Sequence, residues 1–142
     1  MEKRLMVVQE HNADKAGVHW DIRFEAYGSL LDYRAKRVVT NEPMGKDPRI
    51  LKSFCVPKAR LPVAGEKILA ISTEDHPWEY KDFSGVIESG YGKGTVKLLF
   101  CDYIDIETFT GTKIVFAYQG KWYRMYRVPM RNRYMWFFQE KK

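Results

Sequence analysis

The chain has 142 residues, 45% of them hydrophobic and 30% charged, with a formal net charge of +6; this suits one folded domain and excludes a disordered tail. No apolar run approaches the roughly 18–20 residues of a membrane-spanning helix, and the apolar stretch at residues 5–8 is too short for a secretory signal. Cys55 and Cys101 lie far apart with no CxxC, so neither a disulfide framework nor a zinc ribbon is indicated, and a soluble protein of the reducing cytoplasm is expected.

Periodicity along the chain is mostly two, the signature of strands. Residues 5–9 read as a first strand. Residues 18–27 alternate, with Val18, Trp20, Ile22, Phe24 and Ala26 on one face and His19, Asp21, Arg23 and Glu25 on the other. Helical pattern is confined to a modest candidate over 29–38, and 40–48 (TNEPMGKDP) is a polar Pro/Gly loop. Turns are marked by Pro57, Pro62, Gly65, Pro77, Gly85 and the glycines of GYGKG at 90–94. Residues 96–100 and Lys113–Tyr118 are rich in β-branched and aromatic side chains. The run at 122–128 follows across Gln119-Gly120 as the second half of a hairpin, Pro129 should end it, and 134–139 reads as a last strand. Many short strands with frequent turns predict a mainly β fold with little helix. The expected form is a closed or nearly closed β-barrel spanning 1–142 as a single domain, with a compact sandwich as the alternative.

Charge is unevenly placed. Residues 1–114 hold 17 basic and 17 acidic side chains, so the whole +6 falls in residues 115–142. That stretch also carries nine aromatics: Phe116, Tyr118, Trp122, Tyr123, Tyr126, Tyr134, Trp136, Phe137 and Phe138. Cations interleaved with rings suit a polyanion, single-stranded nucleic acid in particular, because cations neutralise phosphates while rings stack on bases. The same pattern also suits an amphipathic hairpin with its rings in the core and its cations in water.

The sharpest local feature is HWDIR at 19–23. On a strand, His19, Asp21 and Arg23 project side by side, so an imidazole and a carboxylate can reach one divalent cation while a guanidinium forks onto a phosphate beside it. His11, beyond the polar Asn-Ala-Asp-Lys-Ala-Gly segment, can return to supply a second imidazole. Two His and one Asp leave coordination positions open for water and substrate, as catalysis requires. The competing reading is a solvated strand face that happens to be polar.

A second cluster is EDHPWEY at 74–80. His76 stands before Pro77 and is held in an extended or turn conformation, with Tyr80 within reach and Glu74 and Asp75 placed to tune its basicity. Its functional reading is a phosphate ligand or a proton donor to a leaving oxygen, and its bland reading a plain surface or core histidine. No GxSxG elbow is present, and GYGKGT at 90–95 lacks the order of a phosphate-binding loop. Lys58 is a free cation at a bend.

Taken together, VVQEH (7–11), HWDIRFE (19–25), SFCVPK (53–58), EDHPWEY (74–80) and FSGVIESGYGKGTV (83–96) resemble, in order, the 3′-phosphoesterase domain of bacterial ATP-dependent DNA ligase D. The resemblance implies a β-barrel with an active-site groove that works on DNA 3′ ends with Mn²⁺ or a similar ion; imidazole and carboxylate ligands also accept Co²⁺ or Zn²⁺. It implies removal of a terminal ribonucleoside and then of the 3′-phosphate, leaving a 3′-hydroxyl for ligation. DNA 3′ ends, including ribonucleotide-terminated primer strands, would be its substrates, and a DNA ligase and end-joining proteins its partners. Mapped by resemblance, His11, His19 and Asp21 fall on the metal ligands, Arg23, His76 and Tyr80 surround the scissile phosphate, and Lys58 is a further basic group of the pocket. The basic carboxy-terminal stretch, with Arg131 and Arg133, is expected to hold the DNA. The chain departs from the family pattern in the longer segment between His11 and His19, in Ile68 where a basic residue usually stands, in Ile87-Glu88 for an Ile-Pro turn, in one residue missing before Tyr91, and in residues 30–48, read as an insertion.

Overall fold

Alternating side chains and tight turns fold the chain strand by strand into a ring. The computed structural model describes residues 2–15, 17–27, 49–90, 93–128 and 134–141, and the backbone at 31–32 and 37–38. Strand β1 (Glu2–Ala13) and β2 (Gly17–Tyr27) form a long antiparallel hairpin. Leu31–Asp32 (β3) and Arg37–Val38 (β4) pair as two short strands where the sequence suggests helix. The rest of 29–38 and the loop at 40–48 lie outside the described residues. The chain continues through β5 (Arg49–Val56), β6 (Lys67–Ser72) and β7 (His76–Pro77), a 3₁₀ turn at Trp78–Asp82 and β8 (Gly85–Ile87). It finishes with β9 (Gly94–Phe109), β10 (Lys113–Tyr118), β11 (Lys121–Arg127) and β12 (Met135–Lys141).

Hydrogen bonding runs β1-β2-β5-β6-β12-β11-β10-β9, and β9 returns to pair with β1, closing an eight-stranded antiparallel barrel. Closure removes the exposed edges that an open sheet would leave. The fold is therefore the barrel and not the sandwich, and among the described residues there is no α-helix. The 16-residue β9 pairs with β1 and then with β10. Register shifts opposite Val8/Gln9 and Val115/Phe116 let it bend around the ring. The β10–β11 turn has positive φ at both Gln119 (50°) and Gly120 (80°), the two-residue hairpin geometry that matches strand twist.

Inward-facing residues fill the barrel. Phe24, Phe54, Phe116, Trp136 and Phe138 are its largest buried side chains. Phe24 meets Phe116 edge-on at 5.4 Å and Phe54 meets Trp136 at 4.8 Å, contacts worth roughly 0.5–1.5 kcal/mol each beyond area burial. Four of the nine carboxy-terminal aromatics, Phe116, Tyr123, Trp136 and Phe138, belong to this core. For these four the amphipathic-hairpin reading holds. Trp122, Tyr126 and Phe137 have the opposite strand parity and lie partly exposed on the outer wall.

Over β1, β2 and β5 the outer wall is roofed by the segment that carries β7 and the 3₁₀ turn. A second apolar cluster of Leu5, Val7, Leu51 and Trp78 seals that roof, with Tyr80 and Leu98 at its margin. The polar face of β2 is therefore covered. Asp21, Arg23 and Glu25 are buried on the outer side, while Ile22 and Phe24 are buried on the inner one.

Candidate metal centre and active site

Strand register assembles the site. In the β1–β2 hairpin His11 pairs with His19, Gln9 with Asp21 and Val7 with Arg23. Across β2–β5, Cys55 pairs with Asp21 and Ser53 with Arg23. Because alternate residues share a face, Gln9 and His11 join His19, Asp21, Arg23, Ser53 and Cys55 on the outer wall beneath the roof. The longer segment between the histidines does not separate them, because the strands extend to a short turn that begins β2 at Gly17 (φ +74°). On the other side of β1 the backbone of Gly94 lies so close that a Cβ there would sit 2.0 Å from the Asn12 carbonyl oxygen. The glycine lets β9 approach the end of the strand that carries His11.

His11 Nδ1 stands 3.4 Å from Asp21 Oδ2, and His19 Nε2 stands 3.2 Å from Asp21 Oδ1. The two imidazole centroids are 4.7 Å apart, and one ligand atom from each of the three residues lies within 4.8 Å of the others. Ligands bound at about 2.1 Å to one tetrahedral ion are separated by about 3.4 Å, so the Asp–His spacings fit a shared cation. Nitrogen and carboxylate donors suit a divalent transition metal. Burial alone would raise the Asp21 pKa, but hydrogen bonds from His11 and His19 and the charge of Arg23 outweigh it and hold the carboxyl well below its ordinary range. The Asp21 carboxylate is thus anionic, the form able to coordinate a cation.

Beside this trio the Arg23 guanidinium is caged. Its Nε donates to Gln9 Oε1 at 2.6 Å and its Nη1 to Ser53 Oγ at 2.8 Å, while Nη2 lies 3.5 Å from Asp21 Oδ2. The Tyr80 ring lies 4.9 Å from its Cζ. Burial pulls the guanidinium pKa down and the Asp21 charge opposes that; it stays cationic. Gln9, fully buried, also donates to the carbonyls of Tyr80 and Phe83 at 3.1 Å each, tying the roof to the β1 strand.

His76 lies against this cage. Its Nδ1 is 3.1 Å from Arg23 Nη1 and 3.0 Å from the Glu74 carbonyl oxygen, so it either accepts from the guanidinium or donates to the carbonyl. Burial, then the Arg23 charge, depress its pKa to about 3, which leaves a neutral ring; its Nε2–H tautomer accepts from Arg23 at Nδ1, and its Nδ1–H tautomer donates to the Glu74 carbonyl. The Tyr80 ring packs 4.8 Å from the imidazole, and burial raises the phenol pKa, so its hydroxyl remains a donor. Glu74 meets His76 through its backbone. The charge of Asp75 acts instead on Lys52 within the barrel.

The structure thus brings together His11, His19, Asp21, Arg23, His76 and Tyr80, and it buries the face that the competing reading left in solvent. Lys58 is not among them. It is exposed in the turn after β5, two residues beyond Val56, the partner of Trp20, so it stands at the rim of the sheet at the His19 end. Gln9 and Ser53 were not singled out from sequence. Their signal is parity alone: Gln9 is two residues before His11, and Ser53 is two residues before Cys55 in the string SFCVPK.

A profile of the DNA Ligase D 3′-phosphoesterase domain matches residues 9–121. The chain belongs to this family. It is 33% identical over 136 residues, 92% of its length, to the multifunctional non-homologous end joining DNA repair protein LigD of Mycobacterium tuberculosis. It is 37% identical over 89 residues to the LigD of Mycolicibacterium smegmatis and 36% over 90 residues to that of Pseudomonas aeruginosa. The chain spans 15%, 9% and 8% of these relatives' lengths respectively. The matched stretch carries every site residue above and ends at the start of β11. Among the described residues no helix is long and apolar enough to cross a membrane.

Proposed function

We propose that this 3′-phosphoesterase-family barrel is a metal-dependent hydrolase of DNA 3′ ends in end-joining repair. It takes a terminal ribonucleoside and then the 3′-phosphate, and leaves a 3′-hydroxyl. The observation that carries this reading is the gathering of His11, His19 and Asp21 around one ion-sized space with a caged guanidinium beside it. A binding module has no need to desolvate a carboxylate, two imidazoles and an arginine together.

His11, His19 and Asp21 would hold the divalent ion, with Mn²⁺ the choice the resemblance favours. When bound, such an ion supplies a Lewis acid for a phosphoryl oxygen and a water of lowered pKa. The remaining work falls to the chain's own groups. Arg23, its Nε and Nη1 held by Gln9 and Ser53, places its fixed positive charge and its remaining Nη2–H beside the non-bridging oxygens that gain charge as the phosphoester is attacked. In the tautomer that accepts from Arg23 at Nδ1, the His76 Nε2–H is left to donate to the phosphate or the leaving oxygen. The incoming phosphate offsets the Arg23 charge and raises the proton affinity of that ring. The Tyr80 phenol donates to the same phosphate, the roof shields the Arg23–Asp21 pair from bulk solvent, and Lys58 at the rim meets the strand leading to the terminus.

The test is a 3′-labelled DNA bearing one terminal ribonucleotide, incubated with and without Mn²⁺ and resolved by length and end group. Ribonucleoside release followed by phosphate release is expected, both lost in His19→Ala and Asp21→Ala. His76→Ala should fail on a 3′-phosphorylated strand. Full turnover in excess chelator, or in either ligand variant, refutes the reading.

A further inference from the structure

Ring order places β11 four strands from β2, on the wall opposite the candidate metal centre. Its outer face, with those of β12 and β6, shows an ordered lattice. Lys67, Gln139 and Arg124 pair side by side across three strands, about 4.8 Å apart. Two residues along, Leu69, Phe137 and Tyr126 form the next row, and on the other side Lys141 pairs with Trp122. A groove of about 340 Å³ runs over the cationic row, lined by Lys67, Arg124, Gln139 and Lys141 with Glu66 and Glu140.

Charge on this wall is not balanced. Glu66 is clamped by both Arg60 amino groups, and Glu140 faces Lys121 at 3.7 Å. Lys141 reaches Glu107 at 3.1 Å. Lys67 and Arg124 have no carboxylate partner among the described residues, and Arg124 Nε is buried with no hydrogen-bond partner. The two cations lean on rings instead, Lys67 4.9 Å from the Phe137 centroid and Arg124 5.5 Å from that of Tyr126. The Tyr126 hydroxyl donates to Gln139 Oε1, which leaves the amide NH₂ as a donor.

We infer that this wall is a binding platform for single-stranded nucleic acid, separate from the candidate metal centre. Cations without carboxylate partners attract a polyanion, and partly exposed rings in a row beside them suit flat unsaturated groups; unstacked bases on a phosphate backbone supply both. A duplex offers phosphates but hides its base faces. An acidic polypeptide offers charge without rings to stack. Around the barrel the two walls are four strand spacings apart, roughly 19 Å, so an overhang wrapping the ring can touch both.

The test is fluorescence anisotropy of labelled oligo-dT of twelve nucleotides on the full chain, in chelator, across a salt series. Chelator removes hydrolysis from the readout, so failure here and failure of the hydrolase reading are separate results. Phe137→Ala is expected to weaken binding about tenfold at constant salt slope. Lys67→Gln/Arg124→Gln is expected to lower the log–log salt slope by about 1.4, at about 0.7 for each lost phosphate contact. Unchanged affinity and slope in both variants overturn the platform, as does equal competition by oligo-glutamate or by a blunt duplex.

Discussion

A histidine held neutral against its ordinary pKa makes the fold sensitive to acid in a calculable way. His76 titrates near 6.5 when free and at about 3 in the folded chain, because burial and the Arg23 charge oppose the imidazolium. Between these values the unfolded chain binds the extra proton and the native one does not, so stability must fall as pH drops through that window. The slope is at most about 1.4 kcal/mol per pH unit, and half of that at pH 6.5, which gives about 2.3 kcal/mol between pH 6.5 and 4.5. His76 is only partly buried by area, and solvent relaxation reduces this to roughly 1.5–2 kcal/mol. Asp21, held low, adds its own loss only as the pH nears the free-carboxylate range around 4. The assay is urea unfolding of the metal-free protein at pH 6.5, 5.5 and 4.5 in phosphate-free buffer, for wild type and His76→Gln. The other histidines are common to both proteins and cancel in the difference. The stability gap should shift by about 1.5–2 kcal/mol in favour of the variant on acidification. A gap constant to within about 0.5 kcal/mol would mean that the fold does not depress the His76 pKa, and the assignment of a ring held neutral by burial and the Arg23 charge would fall.

Three further outcomes follow from the packing around the site. Gln9→Leu leaves Arg23 Nε without its acceptor in a buried position, so stability in urea should drop by about 2–3 kcal/mol and 3′-phosphate hydrolysis should collapse while Mn²⁺ affinity by calorimetry is kept. Gly94→Ala drives a methyl into the Asn12 carbonyl and must displace the end of β1 that carries His11. Mn²⁺ binding should weaken at least tenfold, whereas Gly111→Ala, where a Cβ meets nothing within 4 Å, should leave it unchanged. Lys52 lies inside the barrel, donating to Ser72 Oγ at 3.2 Å, with its pKa lowered to about 8 by burial against the pull of Asp75. Lys52→Met should cost about 3 kcal/mol in chemical unfolding, and Lys52→Met/Asp75→Asn should recover much of it, since the loss comes from stranding a buried carboxylate.

The strands at 18–27 and Lys113–Tyr118, and the Gln119-Gly120 hairpin, were legible because alternation and turn chemistry act locally. Residues 49–56 and 67–72 were not singled out as strands. Both faces of β5 are covered, the inner by the barrel and the outer by the roof, and a strand buried on both sides loses the period-two contrast that marks a half-buried one. The length of β9 was hidden for a different reason. Its 16 residues pair along β1 on one edge and with β8 and then β10 on the other, and the polar stretch Asp102, Asp105 and Glu107 reads as a break when it is a bent continuation of the strand.

The site divides along the same physical line. His19, Asp21 and Arg23 were readable as a row because one strand carries all three, and a strand's geometry does not depend on what surrounds it. Their burial was not readable, since the covering segment arrives from residues 74–84, distant in sequence. That burial changes the meaning of the row. A half-solvated Asp21 or Arg23 would contribute little beyond surface charge, whereas beneath the roof each polar atom must find a partner, and the partners are what aim the guanidinium and set the carboxylate. Gln9 shows the dependence most plainly. In sequence it is one more polar residue on an amphipathic strand, and it becomes a clamp only because β1 pairs with β2 in the register that sets it opposite Asp21 and because the Tyr80 and Phe83 carbonyls descend onto it. The chemistry-bearing side chains belong to the strand and are visible in it, while the groups that hold them belong to the fold.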